Sequence, residues 1–171
     1  FQNKPVLYAK QSFDTATRDK PWGTADALCS AHSLIDSPFV VCNGDDIYGK
    51  QTFKALIDHL KKSSDDAAIG YKLLSVLPDK GSANRGVFKT DSAGYITGLK
   101  EIFSISKSNI SSLGLNEDSL CSMNIFALHF STLKKLKKRV EIFKQLYEND
   151  RKKECLLPEE FSQLISSGET K

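Results

Sequence analysis

Methionine is almost missing from this sequence: Met123 is the only one in 171 residues, and the chain opens on Phe1 rather than on a start residue. The expectation drawn from this is that a segment precedes Phe1. No apolar run is long enough to cross a bilayer and no leader pattern is visible, so the reading is a protein without a membrane span, expected in the cytoplasm. The four cysteines (Cys29, Cys42, Cys121 and Cys155) form neither a CxxC pair nor a cluster with His32, His59 or His129. That spacing argues against a zinc site, and Cys29 and Cys42 lie in apolar segments where a thiol serves as a small hydrophobe, so unpaired cysteines in a reducing compartment are expected. A charge excess of one sign is also lacking, since 24 basic residues face 21 acidic ones for a net charge of +3. The one basic run, "KKLKKR" at Lys134–Arg139, is interleaved with Leu133 and Leu136 at helical spacing, which suits a solvated helix face better than a nucleic-acid site.

What is present is a hydrophobic content of 40%, enough for the core of one domain of this length. The expectation is a single domain over residues 1–171, truncated at both ends, with a nucleotide-binding part over about 1–77 and an acceptor part over about 78–171. "PVLYAKQ", residues 5–11, has the β-branched and aromatic character of a strand, followed by a polar connection over 12–20. From Thr24, the residues Ala27, Leu28, Ala31, Leu34 and Ile35 recur at helical spacing, with Thr24 or Asp26 suited to the cap. "PFVVCN" is a continuous apolar run, as in a strand buried on both faces. A second amphipathic helix follows through Phe53, Leu56, Ile57 and Leu60, then a strand in "AAIGYKLL", residues 67–74. This alternation predicts an open α/β sheet with crossovers, in which ligands bind beyond the carboxyl ends of the strands. "RGVFKTDSAGYITGLKE", residues 85–101, reads as a hairpin around "DSAG", and the Ser-rich stretch 104–118 reads as a mobile loop that orders on ligand binding. "SMNIFALHF" is a further strand, and helices are expected over 132–147 and 158–165.

Two motifs have a plain reading and a chemical one. The pair Gly23–Thr24 suits the start of any helix, and it also suits a place where a flat base approaches a backbone free of side chains. Asp45 and Asp46 follow the apolar strand and "NG", either as ordinary loop acids or as a carboxylate for a Mg²⁺ ion that bridges phosphates. On a continuing strand the two point opposite ways, so only one of them takes the metal. Asn124 stands in a strand position that asparagine disfavours.

In their order, the motifs resemble the nucleotidyltransferase family that includes the sugar-1-phosphate nucleotidyltransferases, or nucleotide-sugar pyrophosphorylases. The matching series is the strand ending in Gln11, "GTADAL" from Gly23, "VVCNGD" ending in Asp45, the hairpin from Arg85 to Glu101, "SMNIFALH" around Asn124, and "ECLLPEEFSQLI" from Glu154. The resemblance implies an open, mixed, mostly parallel sheet of Rossmann-like type flanked by helices, with the hairpin on the acceptor side. It implies that Gln11, Gly23 and Thr24 bind the nucleotide, that Asp45 holds Mg²⁺, and that Gly86, Glu101 and Asn124 contact the acceptor. The reaction it implies is transfer of a nucleotidyl group from a nucleoside triphosphate to a sugar-1-phosphate or similar phosphorylated alcohol, with release of pyrophosphate.

The chain departs from that pattern at three places. The glycine-rich signature, with the Arg and Lys that grip the triphosphate, is expected before residue 1, and the second metal-binding Asp beyond Lys171. The usual Glu-Lys is here Glu101–Ile102, which removes a lysine that often contacts the acceptor phosphate. Two other readings therefore stand beside the first: a nucleotide-sugar-binding regulatory subunit without catalysis, and a metal-dependent glycosyltransferase, although "GDDIYG" lacks the Asp-x-Asp spacing usual there. The nucleobase, the acceptor and the oligomeric state are not fixed by these residues.

Overall fold

The computed structural model describes residues 5–170. In chain order the elements are α1 (Thr24–Ser30), β1 (Phe39–Val41), α2 (Lys50–Leu60), β2 (Ala67–Ala68), β3 (Tyr71–Lys72), α3 (Leu73–Val76), β4 (Ala83–Thr90), β5 (Ile96–Ile105), β6 (Leu120–Cys121), β7 (Phe126–Leu128), α4 (Phe130–Leu146) and α5 (Leu157–Ser166). The two C-terminal helices fall within two residues of where the apolar spacing put them. In α4, Leu133, Leu136 and Val140 are buried, while Lys134, Lys137 and Lys138 face solvent, so the basic run is a solvated face as expected.

The first sheet has the order β1-β7-β2. Phe39 pairs with Leu128, Val40 with Ala127, and Ala67 with Ala127, all antiparallel. The expected mostly parallel sheet is thus corrected: β1 and β2 run in the same direction, as a crossover through α2 requires, but β7 lies between them and runs against both. Local periodicity identifies strands and says nothing about which distant strand enters the gap. Alternation along these strands divides the core in two. Phe39, Val41, Ala68, Phe126 and Leu128 pack toward α1, α4 and α5. Val40, Ala67 and Ala127 pack on the other face with Leu56 and Phe53 of α2. The sheet is therefore the middle of three layers, and β1 is half-buried rather than fully enclosed.

The second sheet, β3-β6-β4-β5, is antiparallel throughout and contains the expected hairpin. Its tip is closed by Gly94, at φ 89, and by Asp91, whose Oδ1 accepts the N–H groups of Ala93 and Tyr95. The chain steps from one sheet to the other twice, between β2 and β3 and between β6 and β7. Hence the expected strand at 67–74 is two short strands running into the one-turn helix α3, and "SMNIFALHF" is split by a turn at Ser122–Ile125. The Ser-rich stretch has a 3₁₀ turn at Ser111–Leu113, and its Ile110 and Leu115 rest against the core cluster of Leu73, Leu77, Ile105 and Cys121.

Three further expectations are corrected. Residues 5–11 form no strand: Val6, Leu7 and Tyr8 are 56%, 64% and 90% exposed, and no described segment pairs with their backbone. A ladder needs a partner as much as a propensity. The first helix stops at Ser30 and gives way to a 3₁₀ turn at His32–Leu34, and neither Thr24 nor Asp26 caps it. Cys42 is exposed at the end of β1, although Cys121 and Cys155 are buried and all four thiols are free.

Candidate active site

The crossing between β6 and β7 opens onto a cleft of about 240 Å³. Thr24 from the start of α1, Asn43 and Asp46 from the loop after β1, Arg85 and Gly86 from β4, Glu101 from β5, Ser122 to Asn124 from the crossing, and Pro158 from the start of α5 form its walls. The volume is below the roughly 300–1,000 Å³ of drug-sized sites and suits a monosaccharide-sized ligand. A larger hollow of about 330 Å³ lies between the hairpin tip and the end of α5 and contains none of the candidate residues.

The acceptor-side candidates meet here. Gly86 stands opposite Glu101 in the β4–β5 ladder, and its carbonyl accepts the Ser122 N–H at 2.7 Å. A Cβ on Gly86 would lie 3.0 Å from Leu99 Cδ1 and 3.5 Å from Glu101 Oε2, so glycine leaves the wall open beside the carboxylate. Asn124 adopts φ 55, a conformation that asparagine tolerates better than most residues. The turn is stabilised by its own N–H, which donates to Ser122 Oγ at 3.0 Å. This φ explains why Asn124 fits poorly as a strand residue: it is the turn between β6 and β7.

Burial raises the pKa of Glu101 above the ordinary glutamate value, the nearby Glu159 raises it further, and Arg85 opposes both. A carboxyl whose folded pKa lies above its unfolded pKa binds more protons when folded. Its contribution to stability is therefore full below the ordinary glutamate pKa and declines as pH rises through the window just above it. Glu101→Gln is expected to flatten this part of the curve of melting temperature against pH and to leave the protein more stable at neutral pH. An unchanged slope would mean that Glu101 titrates as a free acid. Arg85 has no ionic partner among the described residues. Its Nη2 donates to the Val76 carbonyl, and its Nε is buried without a partner.

On the nucleotide side, the Gln11 amide donates to the Gly23 carbonyl at 3.0 Å and to Asp26 Oδ2 at 2.8 Å, and Asp26 is also paired with Lys144 at 2.5 Å. Gln11, Gly23 and Thr24 are thus neighbours, though only Thr24 reaches the cleft. Gly23 has a structural reason to lack a side chain. At φ 101, a Cβ would lie 2.6 Å from the Cys155 carbonyl oxygen, because Trp22 and Ala25 exchange backbone hydrogen bonds with Cys155. The Thr24 hydroxyl accepts the Leu157 N–H at 2.9 Å, so it serves the first turn of α5 rather than its own helix.

The strand ends at Val41, so the two loop acids are divided by the course of the loop and not by strand alternation. Asp45 is exposed, and no hydrogen bond to its side chain is found among the described residues. Asp46 lines the cleft and accepts from Asn43 Nδ2 at 2.9 Å, with the Tyr48 hydroxyl 3.2 Å away. That hydroxyl donates to the Met123 carbonyl at 2.7 Å and accepts the Asn43 N–H at 3.1 Å. Burial is the main cause that pushes the phenol up to about 12, so it keeps its proton at any working pH. A free carboxylate beside a partly engaged one is an oxygen donor set that suits Mg²⁺, which is commonly held by one or two carboxylates with phosphate oxygens. No group of three or more His, Cys, Asp or Glu suited to a metal occurs among the described residues. The fit is therefore to an ion shared with a ligand and not to a closed protein cage.

Sequence reasoning missed Asn43, Tyr48, Arg85 and Ser122. Tyr48 is the one aromatic residue in "GDDIYG", and it packs against the cluster of Leu56, Ile125 and Ala127. Among the described residues no helix is long and apolar enough to cross a membrane. No curated protein matches the chain. A protein-family model described as nucleotidyl transferase matches residues 6–154, most of the chain.

Proposed function

Because the chain belongs to the nucleotidyl transferase family, we propose that it transfers a nucleotidyl group from a nucleoside triphosphate to a sugar-1-phosphate or similar phosphorylated alcohol and releases pyrophosphate. The observation that carries the acceptor assignment is the convergence of Thr24, Gly86, Glu101 and Asn124 on one monosaccharide-sized cleft. Its walls offer the Glu101 carboxylate, the amides of Asn43, Asn84 and Asn124, and the Ser122 hydroxyl, a set matched to a ligand with several hydroxyl groups.

In this reading a phosphate oxygen of the acceptor attacks the α-phosphorus. The bond from that phosphorus to the bridging oxygen breaks, and pyrophosphate takes the electron pair. The acceptor phosphate brings its own negative charge, so the residues have chiefly to position the partners. Glu101 and Asn124 orient the acceptor, while Gly86 admits it. Gln11 and Thr24 border the place assigned to the nucleobase. Asp45, and beside it Asp46, would hold Mg²⁺, which when bound offsets charge on the phosphates. The protein is read as cytoplasmic.

A binding subunit without catalysis is the second reading, favoured by one observation. Ile102 packs with the apolar cluster of Leu73 and Cys121, and no lysine among the described residues lines the cleft. Pyrophosphate release separates the two readings when UTP, CTP, dTTP, GTP and ATP are each tried with a panel of sugar-1-phosphates and with phosphocholine, in Mg²⁺. Release with one pair establishes the transferase and names its substrates. Saturable nucleotide-sugar binding without release from any pair replaces it with the binding subunit.

A further inference from the structure

The exposed Asp45 side chain has no hydrogen bond to hold it among the described residues, so its position depends on the backbone of the loop that carries it. That loop, residues 42–49, has no regular structure. It is closed on itself by the Tyr48 hydroxyl, which accepts the Asn43 N–H at 3.1 Å. The same oxygen donates its proton to the Met123 carbonyl at 2.7 Å, one residue before the turn at Asn124. A residue at φ 55 persists when its surroundings over-determine it, and here the restraints are this carbonyl and the Ser122 hydroxyl. Tyr48 itself is fixed from two sides. Thr52 Oγ1 donates to its carbonyl at 2.8 Å, and its ring meets Phe53 edge-on, with centroids 6.1 Å apart.

One proton faces two acceptors, Met123 O at 2.7 Å and Asp46 Oδ2 at 3.2 Å. The shorter contact is the stronger claim, which leaves Asp46 bound mainly by Asn43 and with lone pairs to spare.

We propose that Tyr48 is a positioning residue that joins the acidic loop to the Asn124 turn through this one phenolic hydroxyl, so that the carboxylates and the acceptor-side amide move as a unit. The consequence for catalysis rests on the nucleotidyl-transfer reading, but the coupling itself does not.

Tyr48→Phe removes the hydroxyl and keeps the ring against Phe53. Hydrogen–deuterium exchange in the full chain is expected to become about fivefold faster in residues 42–49 and in 122–125 together, as loss of one net hydrogen bond predicts, with α2 unchanged. Ser122→Ala serves as the comparison and is expected to loosen 122–125 alone. If Tyr48→Phe loosens only its own loop, or neither segment, the coupling is overturned. Mn²⁺ binding followed by electron paramagnetic resonance, together with the Mg²⁺ dependence of turnover, reads the consequence. Half-saturation is expected to move severalfold upward in Tyr48→Phe while the melting temperature falls by only about 2–4 °C. A wild-type protein that neither binds Mn²⁺ nor turns over, whose two segments still loosen together in the variant, sustains the coupling and overturns the nucleotidyl-transfer reading.

Discussion

Asp45→Asn is expected to leave the melting temperature unchanged and to lower Mg²⁺-dependent pyrophosphate release about 100-fold or more. The first half follows from exposure: no described group bonds to the Asp45 side chain, and surface changes of this kind stay within about 0.5 kcal/mol. The second half follows from charge. Asparagine retains the shape and one oxygen but removes the negative charge that attracts a divalent ion, and removing one electrostatic contact to the reacting group commonly costs about 10²- to 10³-fold in rate. Asp46→Asn is the informative neighbour. Its amide oxygen still accepts from Asn43, so the loop keeps its shape while the cleft loses a charge. A smaller loss than in Asp45→Asn places the ion on Asp45, and a larger one exchanges the roles of the pair. Equal activity of wild type and Asp45→Asn across a Mg²⁺ titration would remove Asp45 from the site.

Gly23→Ala is expected to lower stability by about 3 kcal/mol, the sum of a residue forced to positive φ and a clash that backbone atoms cannot relieve. For a chain of this size that corresponds to a fall in melting temperature of roughly 10 °C. The added Cβ would stand 2.6 Å from the Cys155 carbonyl oxygen and 2.9 Å from its nitrogen. Relief would require parting α1 from the strand-like segment before α5. Gly94 provides the contrast, since it has a similar φ of +89 but nothing within 4 Å of an added Cβ. Gly94→Ala is expected to cost about 1 kcal/mol. Calorimetry on both variants separates conformational strain from collision, and equal shifts would show that the approach to Cys155 is loose.

These two residues also show how far the sequence could be read. Gly23 was visible as a position requiring glycine, because a Gly-Thr pair ahead of a helical repeat is a local signal. Its partner Cys155 was not, because that contact spans most of the chain and leaves no trace in either segment. The acidic pair is a similar case. Alternation would divide Asp45 from Asp46 only on a continuing strand, which ends at Val41, and only the fold shows that Asp46 lines the cleft, bonded to Asn43 and beside Tyr48. The hairpin expected at 85–101 was legible except at its open end, since turn residues and alternation lie within one short stretch, whereas β5 runs on to Ile105, which the reading had placed in the loop. The strand expected at residues 5–11 failed for the reason that the parallel sheet failed. Propensity describes a segment, whereas pairing describes two.

Strand β7 has a consequence for the order of events as the polypeptide is made. Ala127 pairs with both Val40 and Ala67, so the first sheet has no ladder among its earlier strands. Contacts between segments so distant are slow to form because a long loop must close first. Among the described residues, those up to Leu77 hold two strands of like direction, and the strand that joins them is still to come. The ladders described for the first sheet therefore form only after β7 has been made. Both become ordered together, once Phe126–Leu128 has been synthesised and slides between β1 and β2.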